Sequence, residues 1–466
     1  MKDCYDNMLR RDIAIDWDKD EGPVDLRYHS AGIGGVHSMP APLAVVDAVA
    51  ALKPRLIRIF LQEFFYVYPD HGVYDWSKMD AYMEAVHAMG GDIMASICIK
   101  PKVLYPELDE SVWMPNNAPE WRELIRAMAV RYSVEKPYVT HWAIANEMNI
   151  GEWGGCPYLI KNPDDYYEYY KMTAEPIREA APGVKVGGPS HAGGGKEAAA
   201  YLARFVQLCK ENNTAVDFTC YNEYSDSPER HTADGRAIRD AIDRIDPNIK
   251  LYITEFNIGI GEELSLEEKV YESKCAASLA ASILSLHEDG CLDGSFQYHI
   301  YDQFNDPREF APWFSRARYM AEHWNDKAHR LGLLDLDGKA KPQYFVYQLL
   351  YSVDGSRANL KGADNVLRGL AARGADGVMS VFMSNFALHG TPDAVLQFHF
   401  ENAEAGIYRL NVYRIDSESA AAMKASPMRA LPPAESRVVY VHPDFHFDVF
   451  APADSVILVR LERQPV

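Results

Sequence analysis

The chain has 466 residues, long enough for a large core and for two or three domains, or one barrel with an accessory domain. Its 47 lysines and arginines stand against 67 aspartates and glutamates, a balance that argues against a nucleic-acid backbone or an anionic membrane surface as partner. No run approaches the roughly 20 apolar residues of a membrane span, and the seven irregularly spaced cysteines include no CxxC pair.

The first segment, "MKDCYDNMLRRDIAIDWDKDEG", has no apolar core of signal-peptide length. With an odd set of cysteines that read as free thiols, a cytoplasmic location is expected. A secreted chain whose leader had been removed would read alike. Within this segment "DIAIDW" alternates like a strand and has no helix of its own, so residues 1–23 are expected to lend a strand to a later sheet.

From residue 24 to 350 short apolar runs alternate with amphipathic stretches. The runs are "DLRYHSAGIGG", "RLIRIFLQEFF", "DIMASICIKP", "YVTHWAIANEMN", "VKVGGPSHAG", "AVDFTCYNEYS", "IKLYITEFNIG" and "GSFQYHIYDQF". Between them lie segments such as "WSKMDAYMEAVHAMG" and "AAAYLARFVQLCKENN", whose apolar residues recur at helical spacing. Eight strands each followed by a helical segment predict an α/β fold, a (β/α)8 TIM barrel over residues 24–350. A doubly wound sheet competes, but "AGIGGVHS" lacks the GxGxxG spacing of its phosphate turn. After 350 the rhythm becomes short alternating runs, "GVMSVFMSNF", "AVLQFHF", "GIYRLNVYRID", "SRVVYVHPDFHFDVF" and "SVILVRLER". They predict an antiparallel β-sandwich over residues 351–466, with one helical patch at "ESAAAMKAS".

In a barrel the residues just past each strand's C-terminal end converge on one face. The fourth strand ends "ANEMN" and delivers Glu147; the seventh ends "YITEFN" and delivers Glu255. A single glutamate at such a position is usually a cap or a solvated carboxylate. Two of them across one mouth are what glycosidic bond cleavage needs, one to protonate the departing oxygen and one to attack or stabilise the sugar cation. No histidine cluster has metal-ligand spacing, and neither a GxSxG elbow nor a P-loop is present, so no metal or cofactor is expected.

"WAIANEMN" followed by "YITEFN" resembles the clan A retaining glycoside hydrolases. With "KVGGPS" at 185–190, "VDFTCYNEYS" at 216–225 and "GLLDLDGKAKPQYFVYQLL" at 332–350, the chain is most similar to glycoside hydrolase family 39, the β-xylosidase and α-L-iduronidase family. The resemblance implies a carbohydrate substrate, with Glu147 as general acid/base and Glu255 as nucleophile. Asn146 would hold the sugar's 2-hydroxyl, Tyr224 would orient the nucleophile, and Arg58 in "LIRIF" would keep it ionised. Asn149 would be structural.

Several positions depart from the family pattern. Phe60 stands where a histidine is usual, Asn222 replaces a second histidine, and Met148 replaces the proline after the acid. His299 replaces a tryptophan that floors the sugar subsite. Lys100, ending the third strand, is either a partner for an acidic sugar or a lysine reaching solvent. Trp153 and Trp313 are candidate stacking platforms, and Gln62, Glu63, Glu223, His191 and Asp302 are either loop anchors or sugar ligands. The expected activity is retaining, exo-acting hydrolysis of β-xyloside-like oligosaccharides or glycosides. An endo-acting hydrolase and a non-catalytic carbohydrate-binding protein stay open as alternatives, and a homo-oligomer is compatible with the sequence.

Overall fold

The computed structural model describes residues 9–260 and 266–465. Residues 1–8 of the N-terminal segment, with Cys4, therefore lie outside the described residues. The other six cysteines are buried free thiols.

Strand β1 (Leu9–Val24) precedes eight strands that close into a parallel barrel. These are β2 (His29–Gly32), β3 (Leu56–Gln62), β4 (Asp92–Cys98), β5 (Val139–Ile144), β6 (Lys185–Ala192), β7 (Phe218–Tyr224), β8 (Lys250–Asn257) and β9 (Gly294–Tyr298). Closure is made by β2 against β9, with His29 beside Ser295 and Gly32 beside Tyr298. The strands read as apolar runs because helices cover them from outside and the barrel fills itself from inside. β3, for example, is buried along its whole length. The intervening helices start on side-chain caps: Asn117, Asn162 and Ser227 each accept a backbone N–H of the first turn, and a proline follows each.

Alternate residues of a strand share a face, and inside the barrel this period stacks two layers. Leu56, Met94, Ala143, Phe218, Tyr252 and Phe296 pack as an apolar floor. Two residues further along β3, β4 and β8 stand Arg58, Ser96 and Thr254, which with Ser190 of β6 form a polar layer. The C-terminal ends of the strands lie above it.

After the barrel come β10 (Gly355–Lys361), β11 (Leu367–Arg373), β12 (Met379–Asn385), β13 (Ala394–Glu401), β14 (Gly406–Ile415), β15 (Glu435–Val441), β16 (Asp444–Ala451) and β17 (Ser455–Arg463). With β1 they form one nine-stranded sheet in the order β15-β14-β17-β12-β11-β10-β1-β13-β16. All pairs are antiparallel except β1 with β13, which run parallel from Leu9 beside Ala394 to Asp16 beside Glu401. β10 and β11 are absent from the strands expected from sequence. The sheet curls over its own core of Ile13, Leu396, Phe398, Leu410 and Val459. Asn385, at the end of β12, donates to the Ala451 carbonyl at the end of β16, five places away in the sheet order. The opposite face packs on the barrel helix Ser273–Asp289, where Leu370, Phe382 and Leu458 join the barrel's own core. Among the described residues no helix is long and apolar enough to cross a membrane.

Candidate active site

Glu255 reaches the barrel interior through a bulge. The β7–β8 register passes from Tyr221 beside Ile253 directly to Asn222 beside Glu255, so Thr254 is an extra residue on β8. In a regular strand neighbours face opposite sides; the bulge lets both Thr254 and Glu255 point inward. The Thr254 hydroxyl donates to Asn222 Oδ1 at 2.8 Å. Glu255 accepts from Arg58 Nη1 at 2.9 Å on one oxygen and from the Tyr224 hydroxyl at 2.7 Å on the other.

Glu147 arrives by a different device. Past β5 the chain turns through two non-glycine residues with positive φ, Ala145 at 69° and Glu147 at 46°. Side chains disfavour that region, at a cost of about 1 kcal/mol or more each, and such strain gathers at functional sites. It is held by the Glu147 N–H donating to the Ser190 carbonyl at 2.6 Å and by Ile150 and Gly151 N–H groups on the Glu147 carbonyl. The side chain accepts from Asn222 Nδ2 at 2.8 Å. Gly154 lies directly against it: a Cβ there would fall 2.1 Å from Glu147 Oε2.

Arg58 organises the layer beneath. It is 1% exposed and spends its guanidinium on Ser96, the Thr254 carbonyl, Glu255, Asn146 and Ser190. Asn146 takes Arg58 Nη2 at 2.6 Å and donates to the Gly154 carbonyl at 3.3 Å. The two glutamates thus sit in opposite fields. Burial, and then the negative charge of Glu255, push the Glu147 carboxyl well above its ordinary pKa. Glu255 has an arginine on one oxygen and a tyrosine hydroxyl on the other. Burial and the Glu255 charge also raise Tyr224 far above the usual phenol range, which keeps it protonated and donating.

Both glutamates line one cavity of about 210 Å³, together with Asn146, Tyr224, Gln62 and Tyr298. Its outer wall comes from the long segment after β9, which supplies Asn305, Phe310, Met320, Trp324 and His329. Burial with Arg330 and His37 nearby depresses His329 to about 3, so it stays neutral. Among the described residues no cluster of His, Cys, Asp or Glu could hold a metal ion.

Four residues expected at the sugar are elsewhere. Lys100 is 4% exposed, and its ammonium donates to the Asp109 and Pro157 carbonyls at 2.7 and 3.1 Å, so it neither meets the cavity nor reaches solvent. His299 is fully buried behind Tyr298, on which it stacks at 4.6 Å; Tyr298 takes the cavity wall instead. Trp313 packs on Tyr66 with Lys102 over its ring, and Trp153 packs on Tyr319 under Arg316. Trp324 is the tryptophan at the site. Arg58 and Asn222 stand behind the two glutamates without lining the cavity. Of the residues open between anchor and ligand, Gln62 lines the cavity. Glu63, Glu223, His191 and Asp302 are engaged by the Lys100 N–H, Arg230, the Gly193 carbonyl and Lys341. Asn149 holds both backbone groups of Ala192.

Residues 70–380 match the family model for glycosyl hydrolases family 39. The chain belongs to this family. This family 39 member is 24% identical over 269 residues to a β-xylosidase of Geobacillus stearothermophilus, a match covering 50% of this chain and 51% of that one. It spans about half the length of the curated relatives it matches. A monomeric β-xylosidase from Caulobacter crescentus CB15 superposes with a TM-score of 0.75 at 21% identity, over 98% of this chain and 100% of that one. The GH39 enzyme from Xanthomonas axonopodis pv. citri gives the same score and identity over 99% of both chains. At that identity the likeness establishes the fold.

Proposed function

We propose that this family 39 chain is a retaining exo-glycosidase that releases single neutral sugar units from β-xyloside-like glycosides or oligosaccharides. The observation that carries the reading is the contrast between two glutamates on one cavity. Glu255 is gripped by the Arg58 guanidinium and the Tyr224 hydroxyl, whereas the half-buried Glu147 carboxyl is pushed well above its ordinary pKa by desolvation and the Glu255 charge.

In the first step a Glu255 oxygen attacks the anomeric carbon. The bond to the leaving oxygen breaks, and Glu147 gives that oxygen its proton. In the second step Glu147, now ionised, takes a proton from water. The water oxygen displaces Glu255, restoring both groups. Two inversions return the starting configuration. Asn146 holds the 2-hydroxyl in this reading, supported by its grip on Arg58 and its place on the same cavity as both glutamates.

The cavity volume supports exo action, being below the roughly 300–1,000 Å³ that take drug-sized ligands. A neutral sugar is supported by the lining, which among the described residues has no lysine or arginine; the segment 261–267, "GEELSLE", has none in sequence either. The β-xylosidase relatives point to xylosides.

Glu147→Gln and Glu255→Gln are each expected to lower kcat on the best aryl glycoside by about a thousandfold, the scale for losing a general acid or base. A 2-deoxy-2-fluoro xyloside should leave a covalent adduct on Glu255, read by peptide mass spectrometry. No adduct with any fluoro-sugar, together with undiminished binding, would identify a non-catalytic binder.

A further inference from the structure

The strand-end glutamates explain the chemistry, but another buried carboxylate has no place in it. Glu152 is 1% exposed, lies outside the cavity wall, and sits in the short 3-10 turn Gly151–Gly154 that follows the acid. Its two oxygens accept three hydrogen bonds from the segment after β9: the Ser315 N–H at 3.0 Å, the Ser315 hydroxyl at 2.6 Å and the Arg316 N–H at 2.9 Å. Its own N–H donates to Glu110 Oε2 at 2.7 Å, and the other oxygen of Glu110 takes Arg316 Nη1 at 3.0 Å. Glu110, Glu152 and Ser315–Arg316 belong to the loops after β4, β5 and β9, so one cluster fastens three loops together.

What those loops carry gives the cluster its meaning. The segment after β9 supplies Phe310, Met320, Trp324 and His329, most of the outer cavity wall. The turn holding Glu152 presses Gly154 against Glu147, and its carbonyls at Gly154 and Gly155 hold the amides of Asn146 and Gln62. Moving the turn therefore moves the acid, the amide beside it and the outer wall together. A carboxylate buried this deeply is costly unless every lone pair is used, and charge-assisted bonds are the strong ones.

We infer that Glu152 is a positioning residue, a latch that locks the outer wall of the cavity onto the general acid Glu147. It acts through Gly154 and Ser315 and touches neither sugar nor reacting atoms. This inference rests on the glycosidase reading of the same cavity. Glu147 is faced by Glu255, Arg58, Asn222 and Cys156, so its protonation depends on how well the latched loops keep water out.

The test compares Glu152→Ala, Glu152→Gln and Ser315→Ala in the full chain, each checked for a native near-ultraviolet spectrum. Glu152→Ala should lower kcat/KM for an aryl xyloside by about a hundredfold, the scale of a 1 Å misplacement of a positioned group. Its alkaline limb should move to lower pH as water reaches Glu147. Glu152→Gln, which keeps an acceptor, should recover part of the loss, and Ser315→Ala, which loses one bond of three, should shift both readouts least. Hydrogen exchange over residues 305–331 should rise in Glu152→Ala, a readout that needs no turnover. A folded Glu152→Ala with unchanged exchange, or with an unchanged alkaline limb, overturns the latch. A wild type that turns over no glycoside overturns the glycosidase reading instead, and the exchange result still decides whether the latch exists.

Discussion

At the scale of single residues, the cavity gives two identical carboxylates unlike neighbours. Glu255 gains a cation and a hydroxyl; Glu147 gains an amide, burial and a like charge across the cavity. The sign of the coupling is testable. A nearby negative charge favours the neutral form of a carboxyl group, so Glu255→Gln should lower the Glu147 pKa while burial, the larger cause, keeps it above the ordinary value. Carbon-13 NMR titration of labelled glutamate in that variant measures it; an unchanged or raised value would mean that the two groups do not share a field. The pair itself was legible in "ANEMN" and "YITEFN", because a strand rim is encoded locally. That Lys100, His299 and Trp313 lie off the cavity was not legible, for the opposite reason. Whether a loop side chain turns into the cavity or onto backbone carbonyls depends on the path of other loops, and 300–341 has no period from which to read its course. Trp324 and His329 were missed on the same account.

At the scale of elements, two local irregularities aim the glutamates: the extra residue Thr254 on β8 and the left-handed turn at Ala145–Glu147. Both occur where regular geometry would place side chains on the wrong face. The turn further depends on Gly154 having no side chain. A methyl group there would meet Glu147 Cβ at 2.5 Å as well as its carboxylate, and Glu147 cannot retreat without leaving Asn222. Gly154→Ala should therefore cut kcat by roughly a hundredfold while the melting temperature falls only a few degrees. Steady-state kinetics alongside a thermal melt separate the two; a variant with wild-type kcat would show that the turn yields and the acid does not depend on it. The barrel strands could be read from sequence because burial on both faces leaves continuous apolar runs. β10 and β11 could not. "GSRANLK" and "LRGLAAR" carry arginines and glycines through a strand, and Arg368 is buried there because two barrel helices offer it Ser285 and Glu229 and the end of β12 offers the Phe386 carbonyl.

At the scale of the whole molecule, the barrel and the curled sheet are one folding problem. β1 comes first in the chain yet pairs between β10 and β13, so the sheet closes around the two ends of the sequence with the barrel between them. The helix Ser273–Asp289 completes the barrel on one side and the sheet on the other, and Ser384 donates to its Ala277 carbonyl at 2.8 Å. Ala277, Ala281 and Leu284 share the face of that helix that carries Ser285 toward the sheet and are at most 4% exposed. A fully buried leucine contributes about 1.5–3 kcal/mol, so uncovering Leu284 with its neighbouring alanines, and losing the packing of Leu370, Phe382 and Leu458 on that face, would draw appreciably on the 5–15 kcal/mol by which a typical domain is stable. A chain ended at residue 350 should accordingly be insoluble or bind a hydrophobic dye, and calorimetry of the full chain should show one transition. Two separate transitions, or a soluble truncated barrel with a native near-ultraviolet spectrum, would show that the sheet is an independent attachment. Arg368→Ala probes the joint more gently: with Ser285 losing its donor and Glu229 its cation it should lower the melting temperature while KM for the aryl glycoside stays the same, since the joint faces away from the cavity that Glu147 and Glu255 line.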